Sequence, residues 1–305
     1  MKFGKLHDIS EVDFSLPPTA RATVDYLSNL AASATAPEVY LGCTGWSMKE
    51  WVGHVYPLKT KSKDFLYHYT RQFNTIELNT THYRIPTLDM VHKWREESAD
   101  DFHFCPKLPQ TISHSRNLGQ GSDQLMVFCD HIARLEEKLG CCFMQLPPYF
   151  DTQRFKILQY FVQHFPKHIP LAIELRHESW FQQTDYFEDL CSLFEEHGIA
   201  TVITDVAGRR DVLHQRLTTN LAMIRFVGNG LHPTDYSRAD AWVDRLHEWF
   251  EMGLSRVYFF PHEPDNLMAP DMVTYFYEQF EKRGLAQTRG PKLIDPDAGR
   301  QISLF

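Results

Sequence analysis

The chain has 305 residues, 43% hydrophobic and 23% charged, which excludes a wholly disordered polymer, a collagen-like repeat or a coiled-coil fibre. Its 39 acidic and 31 basic residues give a net charge of −8, which disfavours a broad electropositive clamp on nucleic acid but leaves a local basic cleft open. No run approaches the ~20 apolar residues of a membrane span, and Met1–Asp8 is charged where a signal peptide needs an apolar block, so a soluble, cytoplasmic protein is expected.

In chain order, short β-rich runs alternate with helical patterns. The expected strands are Val39–Gly42, Thr75–Leu78, Phe102–Cys105, Cys141–Gln145, Leu171–Leu175, Thr201–Thr204, Met223–Phe226 and Arg256–Phe260. Their spacing is close to the ~30 residues of a βαβ unit. A first helix is expected around Ala20–Ala32. Ser122 precedes Leu125, Phe128, Ile132, Leu135 and Leu139, which step by three and four up to Gly140. Asp151 opens a helix bearing Phe155, Leu158, Phe161 and Phe165. Gly208–Asn220 is short and poorly helical. Ser237-x-x-Asp240 opens a helix with Trp242, Leu246 and Trp249, closing at Gly253. Pro270 suits the first turn of the last, which carries Val273, Phe276 and Phe280.

Eight such units over residues 39–283 give an α/β fold class, a (β/α)8 TIM barrel of near ~250 residues. Residues 1–38 form an N-terminal extension and 284–305 a flexible, exposed C-terminal tail. An open doubly wound sheet is disfavoured because no Gly-x-Gly-x-x-Gly follows the first strand. The six cysteines form no C-x-x-C pair and sit in apolar runs, as buried reduced thiols would.

Strand alternation nominates the site. In Leu171-Ala172-Ile173-Glu174-Leu175-Arg176 the bulky apolar residues share one face, and Glu174 and Arg176 the other. Glu77 and Asn79 repeat the pattern, and the same parity sends Lys107, Gln145, Asp205 and Arg225 inward, toward the strand ends where barrels keep their active sites. A structural ion network plugging the barrel mouth is the bland alternative. Three cations among these groups would compete with a metal for the carboxylates, so an anionic small ligand bearing phosphate or carboxylate fits better. A metal held through His82, His177, His232, His262 or Glu263 is the lesser reading, and no cofactor is expected. Glu174 and Glu77 are candidate acid/base groups, His177 a proton shuttle, and Lys107 an anion holder or, less readily, an imine former. Arg176, Arg225, Asn79, Gln145 and Asp205 are candidate binding groups, with Trp46, Tyr83 and Trp180 as stacking surfaces. A hydrolase, lyase or isomerase of unknown substrate and a non-catalytic sensor of an anionic metabolite both fit. No Gly-rich phosphate loop, Gly-x-Ser-x-Gly or His-Glu-x-x-His occurs.

The same positions carry a resemblance. Gly42-Cys43-Thr44-Gly45-Trp46-Ser47, Phe73-Asn74-Thr75-Ile76-Glu77-Leu78-Asn79, Phe104-Cys105-Pro106-Lys107, Gln145-Leu146-Pro147-Pro148 and Glu174-Leu175-Arg176-His177-Glu178-Ser179-Trp180 resemble the motifs of the YecE-like family, domain of unknown function 72. That resemblance implies a TIM barrel and no named reaction. Where members often carry a Tyr-Phe-Asn-Asn-like run, this chain has Phe259-Phe260-Pro261-His262-Glu263-Pro264, so a different contact is expected at the eighth loop.

The last five residues, Gln301-Ile302-Ser303-Leu304-Phe305, resemble the peptide by which bacterial DNA-processing proteins dock on the polymerase sliding clamp. Leu304 and Phe305 would fill an apolar groove and Gln301 would supply directional hydrogen bonds, while ~16 residues of linker would reach roughly 20–25 Å. A clamp-tethered DNA-maintenance factor is therefore a further expectation.

Overall fold

The computed structural model describes residues 4–30, 35–182, 184–285 and 287–294. Its strands are β1 (Glu38–Leu41), β2 (Thr75–Leu78), β3 (His103–Pro106), β4 (Cys142–Gln145), β5 (Leu171–Glu174), β6 (Ala200–Asp205), β7 (Leu221–Val227) and β8 (Arg256–His262). All of their pairings are parallel. Six strands form one sheet in the order β1-β8-β7-β6-β5-β4, and β2 and β3 form a second. The architecture is α/β, with α-helices in the crossovers that parallel pairing requires, save between β6 and β7.

The sheets meet at two seams. Between β3 and β4, Lys107 bridges Phe143, and the Leu108 N–H donates to the Phe143 carbonyl at 2.9 Å. Between β1 and β2 side chains replace most of the ladder. The Asn74 amide donates to the Val39 carbonyl (2.9 Å) and accepts from the Leu41 N–H (2.7 Å), while the Cys43 N–H donates to the Tyr69 hydroxyl (2.8 Å). One main-chain bond crosses directly, Glu77 N–H to the Cys43 carbonyl at 3.1 Å.

Alternation along the strands separates two environments. Leu41, Ile76, Phe104, Ile224 and Phe259 pack outward against helices. Tyr40, Cys105, Phe143, Val202, Met223, Tyr258 and Phe260 form an inner apolar cluster. Toward the C-terminal ends of the strands this inner face turns polar, through Glu77, Lys107, Gln145, Glu174 and Arg225. All six cysteines are buried thiols without disulfides.

Several boundaries differ from the sequence reading. The first helix is Arg21–Ser28. The helix expected to open at Ser237 begins at Pro233, because His232 and Asp235 form a capping box one turn earlier; it closes at Gly253, whose φ of 117° favours glycine. Gly208–Asn220 holds only the 3-10 turn Arg210–Val212. The head of the segment read as an exposed tail is docked. Arg289 pairs with Asp101 (2.8 Å), the Lys292 N–H donates to Gln72 (2.8 Å), and Gly290 packs on Tyr277. No helix is long and apolar enough to cross a membrane among the described residues.

Candidate functional site

β2, β5 and β7 bring a buried ion network together. Arg225 donates from Nε and Nη2 to the two Glu77 oxygens at 2.9 and 3.0 Å, and from Nη1 to Glu174 Oε2 at 2.7 Å. Arg176 Nε lies 3.3 Å from Glu174 Oε1. The network continues through amides: Asn79 donates to Glu77 Oε1 (2.8 Å), Gln145 donates to Glu174 Oε2 (2.8 Å), and Lys107 donates to Gln145 Oε1 (3.0 Å). His262 Nε2 sits 2.9 Å from Glu77 Oε2. Phe143 underlies the network, its ring 5.7 Å from the Lys107 ammonium and 5.8 Å from the Arg225 guanidinium.

Burial alone would raise both carboxyls, but it is outweighed. Arg225 and His262 hold Glu77 well below the usual carboxylate range, and Arg225 with Arg176 lowers Glu174. Burial, reinforced by the Arg225 charge, pushes Lys107 down to about 8.

Above the network lies a cavity of about 440 Å³. Asn79, Lys107, Gln145 and His262 reach it from the strand ends, with His82 and Tyr83 at one side and Gly228, Asn229 and Glu263 at the other. Gly4 and Lys5 of the N-terminal lead complete the wall. That lead is fixed by the Gly208 N–H donating to the Gly4 carbonyl (2.8 Å) and by Phe14, whose ring lies 4.8 Å from the Arg238 guanidinium and 5.5 Å from that of Arg210.

The structure thus gathers Glu77, Asn79, Lys107, Gln145, Glu174, Arg176 and Arg225. Glu77, Glu174 and Arg225 lie beneath the cavity with their oxygens and nitrogens engaged with one another. Tyr83 is exposed and lines the cavity. Other candidates lie elsewhere. Asp205 faces outward, contrary to the parity expectation, and pairs with Arg210, Arg238 (2.9 Å) and the Trp242 indole N–H (2.8 Å). Its strand carries apolar Val202 on the inner face, so polarity does not mark that face at this depth. His177 binds Ser179 Oγ (2.8 Å) at the start of the helix Ser179–Gln182. Trp180 is buried in the outer core with its N–H on the Phe150 carbonyl (2.7 Å), and Trp46 packs edge-on to Trp94 and Phe104. Gln301, Leu304 and Phe305 lie outside the described residues.

The histidines weighed as metal ligands have separate engagements. His82 Nδ1 meets the Leu108 carbonyl (2.9 Å) and burial pushes its pKa down to about 4, while His232 caps a helix and His262 meets Glu77. Among the described residues no three His, Cys, Asp or Glu side chains converge as a metal would need.

Sequence reading cast Glu263 only as an auxiliary metal ligand. The structure buries it in the cavity wall, over Gly228, where a Cβ would lie 2.0 Å from Glu263 Oε1. The glycine of Val227-Gly228-Asn229-Gly230 was the available signal, legible only once β7 and β8 are known to pair.

A family model described as protein of unknown function DUF72 matches residues 40–294. The chain is 30% identical over 262 residues to the UPF0759 protein YecE of Escherichia coli (strain K12), covering 80% of this chain and 93% of that protein. It is 27% identical over 200 residues to the UPF0759 protein YunF of Bacillus subtilis (strain 168), covering 62% and 70%. The crystal structure of a DUF72 family protein from Enterococcus faecalis V583 superposes with a TM-score of 0.62 at 20% identity, over 80% of this chain and 98% of that one. One from Thermotoga maritima MSB8 gives 0.61 at 23%, over 80% and 99%. At these identities the solved structures bear on the fold.

Proposed function

Because the chain belongs to the DUF72 family, whose description names no reaction, we propose a function from its site: a small anionic ligand, bearing phosphate or carboxylate, binds in the 440 Å³ cavity and undergoes acid/base chemistry there. We infer further that the two sheets close at their seams into one (β/α)8 barrel over residues 39–283. Residues 1–38 are then an extension that helps shape its mouth.

One observation carries the ligand reading. Within the ion network two buried acids, Glu77 and Glu174, face three buried bases, Arg225, Arg176 and Lys107, which leaves the network one positive charge in excess. Lys107 holds that excess, since its ammonium hydrogen-bonds to a neutral amide, borders the cavity, and is mostly protonated at pH 7 with a pKa of about 8. An anion entering the cavity neutralises it, and a lysine binds such oxygens with charge-assisted hydrogen bonds.

Thermal melting with phosphorylated and carboxylated metabolites tests this. At a hundred times its Kd a ligand should stabilise the protein by ~2.7 kcal/mol. Lys107→Met should weaken binding by ~2 kcal/mol or more, about 30-fold. A broad panel of anions that leaves the melting temperature unchanged would remove the reading. Turnover of a ligand so found separates an enzyme from a sensor.

A second proposal stands on the terminal peptide alone, that Gln301, Leu304 and Phe305 dock on a sliding clamp. Ile294 is anchored by its N–H on the His54 carbonyl (2.7 Å), so the stretch expected as linker is docked at that point. A labelled peptide of the last ten residues should bind purified clamp in fluorescence anisotropy, and Phe305→Ala should weaken it at least several-fold. Silence at high micromolar clamp would end this proposal without touching the cavity.

A further inference from the structure

Glu263 differs from the other carboxylates near the cavity. Glu77 and Glu174 each meet an arginine, Glu174 Oε1 through an ion pair alone (3.3 Å to Arg176), whereas Glu263 Oε2 accepts main-chain N–H groups from Gly230 (2.8 Å) and Leu231 (3.4 Å), and the buried Oε1 has neither a hydrogen bond nor a paired cation among the described residues. The residue as a whole is 5% exposed and belongs to the cavity wall. Both loops that hold it are in conformations most residues avoid. Gly230 and Leu231 have φ of 82° and 57°, which turns successive amides toward Oε2, and Asp265 and Asn266 have φ of 56° and 58° just after it. Such settings cost energy and persist where the surroundings enforce them.

We propose that Glu263 is the proton-exchanging residue of the cavity: as the neutral acid it donates from Oε1 to an anionic oxygen of the ligand, and as the carboxylate it repels that ligand. This rests on the anion-binding reading above. When the carboxylate form takes a ligand, one proton comes from solvent and one O–H bond forms at Oε1; nothing else is made or broken. Chemically the same proton is available to a developing alkoxide, with the amides of Gly230 and Leu231 left to hold the carboxylate.

The electrostatics agree. Burial and the Asp235 charge push Glu263 up to about 7, against the pull of the two amides and Arg238. The other charged or titratable groups facing it or its cavity are His262 and Asp265 beside it, Tyr236 on the helix Pro233–Met252, Lys107 after β3, His82 and Tyr83 after β2, and Lys5 of the lead, among the described residues. Burial lowers both His82 and His262, so neither contributes a full charge near neutrality.

Sulfate is the probe, because it keeps a charge of about −2 throughout the range near neutrality. Calorimetry on the full chain at pH 6.0 and pH 7.5 should show affinity falling about fivefold in the wild type, with uptake of ~1 proton at the higher pH, ~0.8 of it at Glu263 and ~0.2 at Lys107, in buffers of different ionisation heat. Glu263→Gln, which supplies a permanent donor in place of Oε1–H, should retain the pH 6.0 affinity within about twofold, change by less than about 1.5-fold between the two pH values, and take up only the ~0.2 proton of Lys107. Wild-type sulfate binding that changes by less than about 1.5-fold and takes up no more than ~0.2 proton overturns the role of Glu263 and leaves the anion site standing. The same pH slope in Glu263→Gln assigns the proton to another group and also overturns it. No sulfate binding by the wild type at either pH overturns the anion reading itself.

Discussion

Replacing Arg225 with methionine is expected to cost about 3–5 kcal/mol of folding stability, among the largest effects of any single substitution in the chain. The guanidinium is fully buried and spans two carboxylates, both Glu77 oxygens and one of Glu174. Removing it leaves two acids above Phe143 with Arg176, His262 and the neutral amides of Asn79 and Gln145 beside them. Denaturant unfolding at pH 7 measures the loss. The pH dependence then separates a lost ion network from a simple cavity. In the wild type Glu77 and Glu174 have lowered folded-state pKa values, so their contribution is present above the unfolded pKa and lost as pH falls through the folded one. Without Arg225 burial raises at least one of them, so that group favours the fold in acid and opposes it as pH rises. The gap between variant and wild type should therefore narrow from pH 7 toward pH 5. Adding Glu77→Gln alone to the variant should recover much of the loss at pH 7, because Glu174 keeps Arg176 at 3.3 Å and the network returns to its original charge balance. A gap that stays constant with pH, with no recovery in the double variant, would show that the arginine acts by packing alone.

Gly42→Ala is expected to destabilise by about 3 kcal/mol, at the upper end for an overpacked core. A Cβ there would lie 2.0 Å from the Thr75 carbonyl oxygen and 2.6 Å from its carbon, and that backbone has no rotamer through which to yield. β1 and β2 would separate at the seam where Glu77 N–H meets the Cys43 carbonyl, and Glu77 would move off Arg225. Urea unfolding should show the loss, and anion binding should weaken in the same variant. A stable Gly42→Ala protein with wild-type anion affinity would mean that the seam does not position the site.

The network was legible in sequence because its strands obey period two. Leu171 to Arg176 and Thr75 to Asn79 alternate cleanly between bulky apolar and polar residues, and the structure places Glu77, Glu174 and Arg176 on the inner face as that alternation requires. β6 broke the rule because the inner face is itself apolar below the polar layer; Val202 fills it, and Asp205 is turned to Arg238 and Trp242. Trp180 was read as a stacking surface because it follows a strand, but its N–H meets a main-chain carbonyl 30 positions away, a contact no local pattern encodes. Glu263 was hidden for a similar reason. Its character comes from Gly228, Gly230 and Asp235, which reach it only because β7 and β8 pair from Leu221 opposite Arg256 to Val227 opposite His262.

The segment carrying Gly4 and Lys5 precedes residue 40, where the family pattern starts to match. The base of the chamber thus lies within the matched stretch, while part of its doorway lies ahead of it and carries a lysine of its own. Trimming the lead should therefore widen the entrance and leave Lys107 and Gln145 in place, so the size of what enters and the chemistry that holds it are set by different parts of the chain.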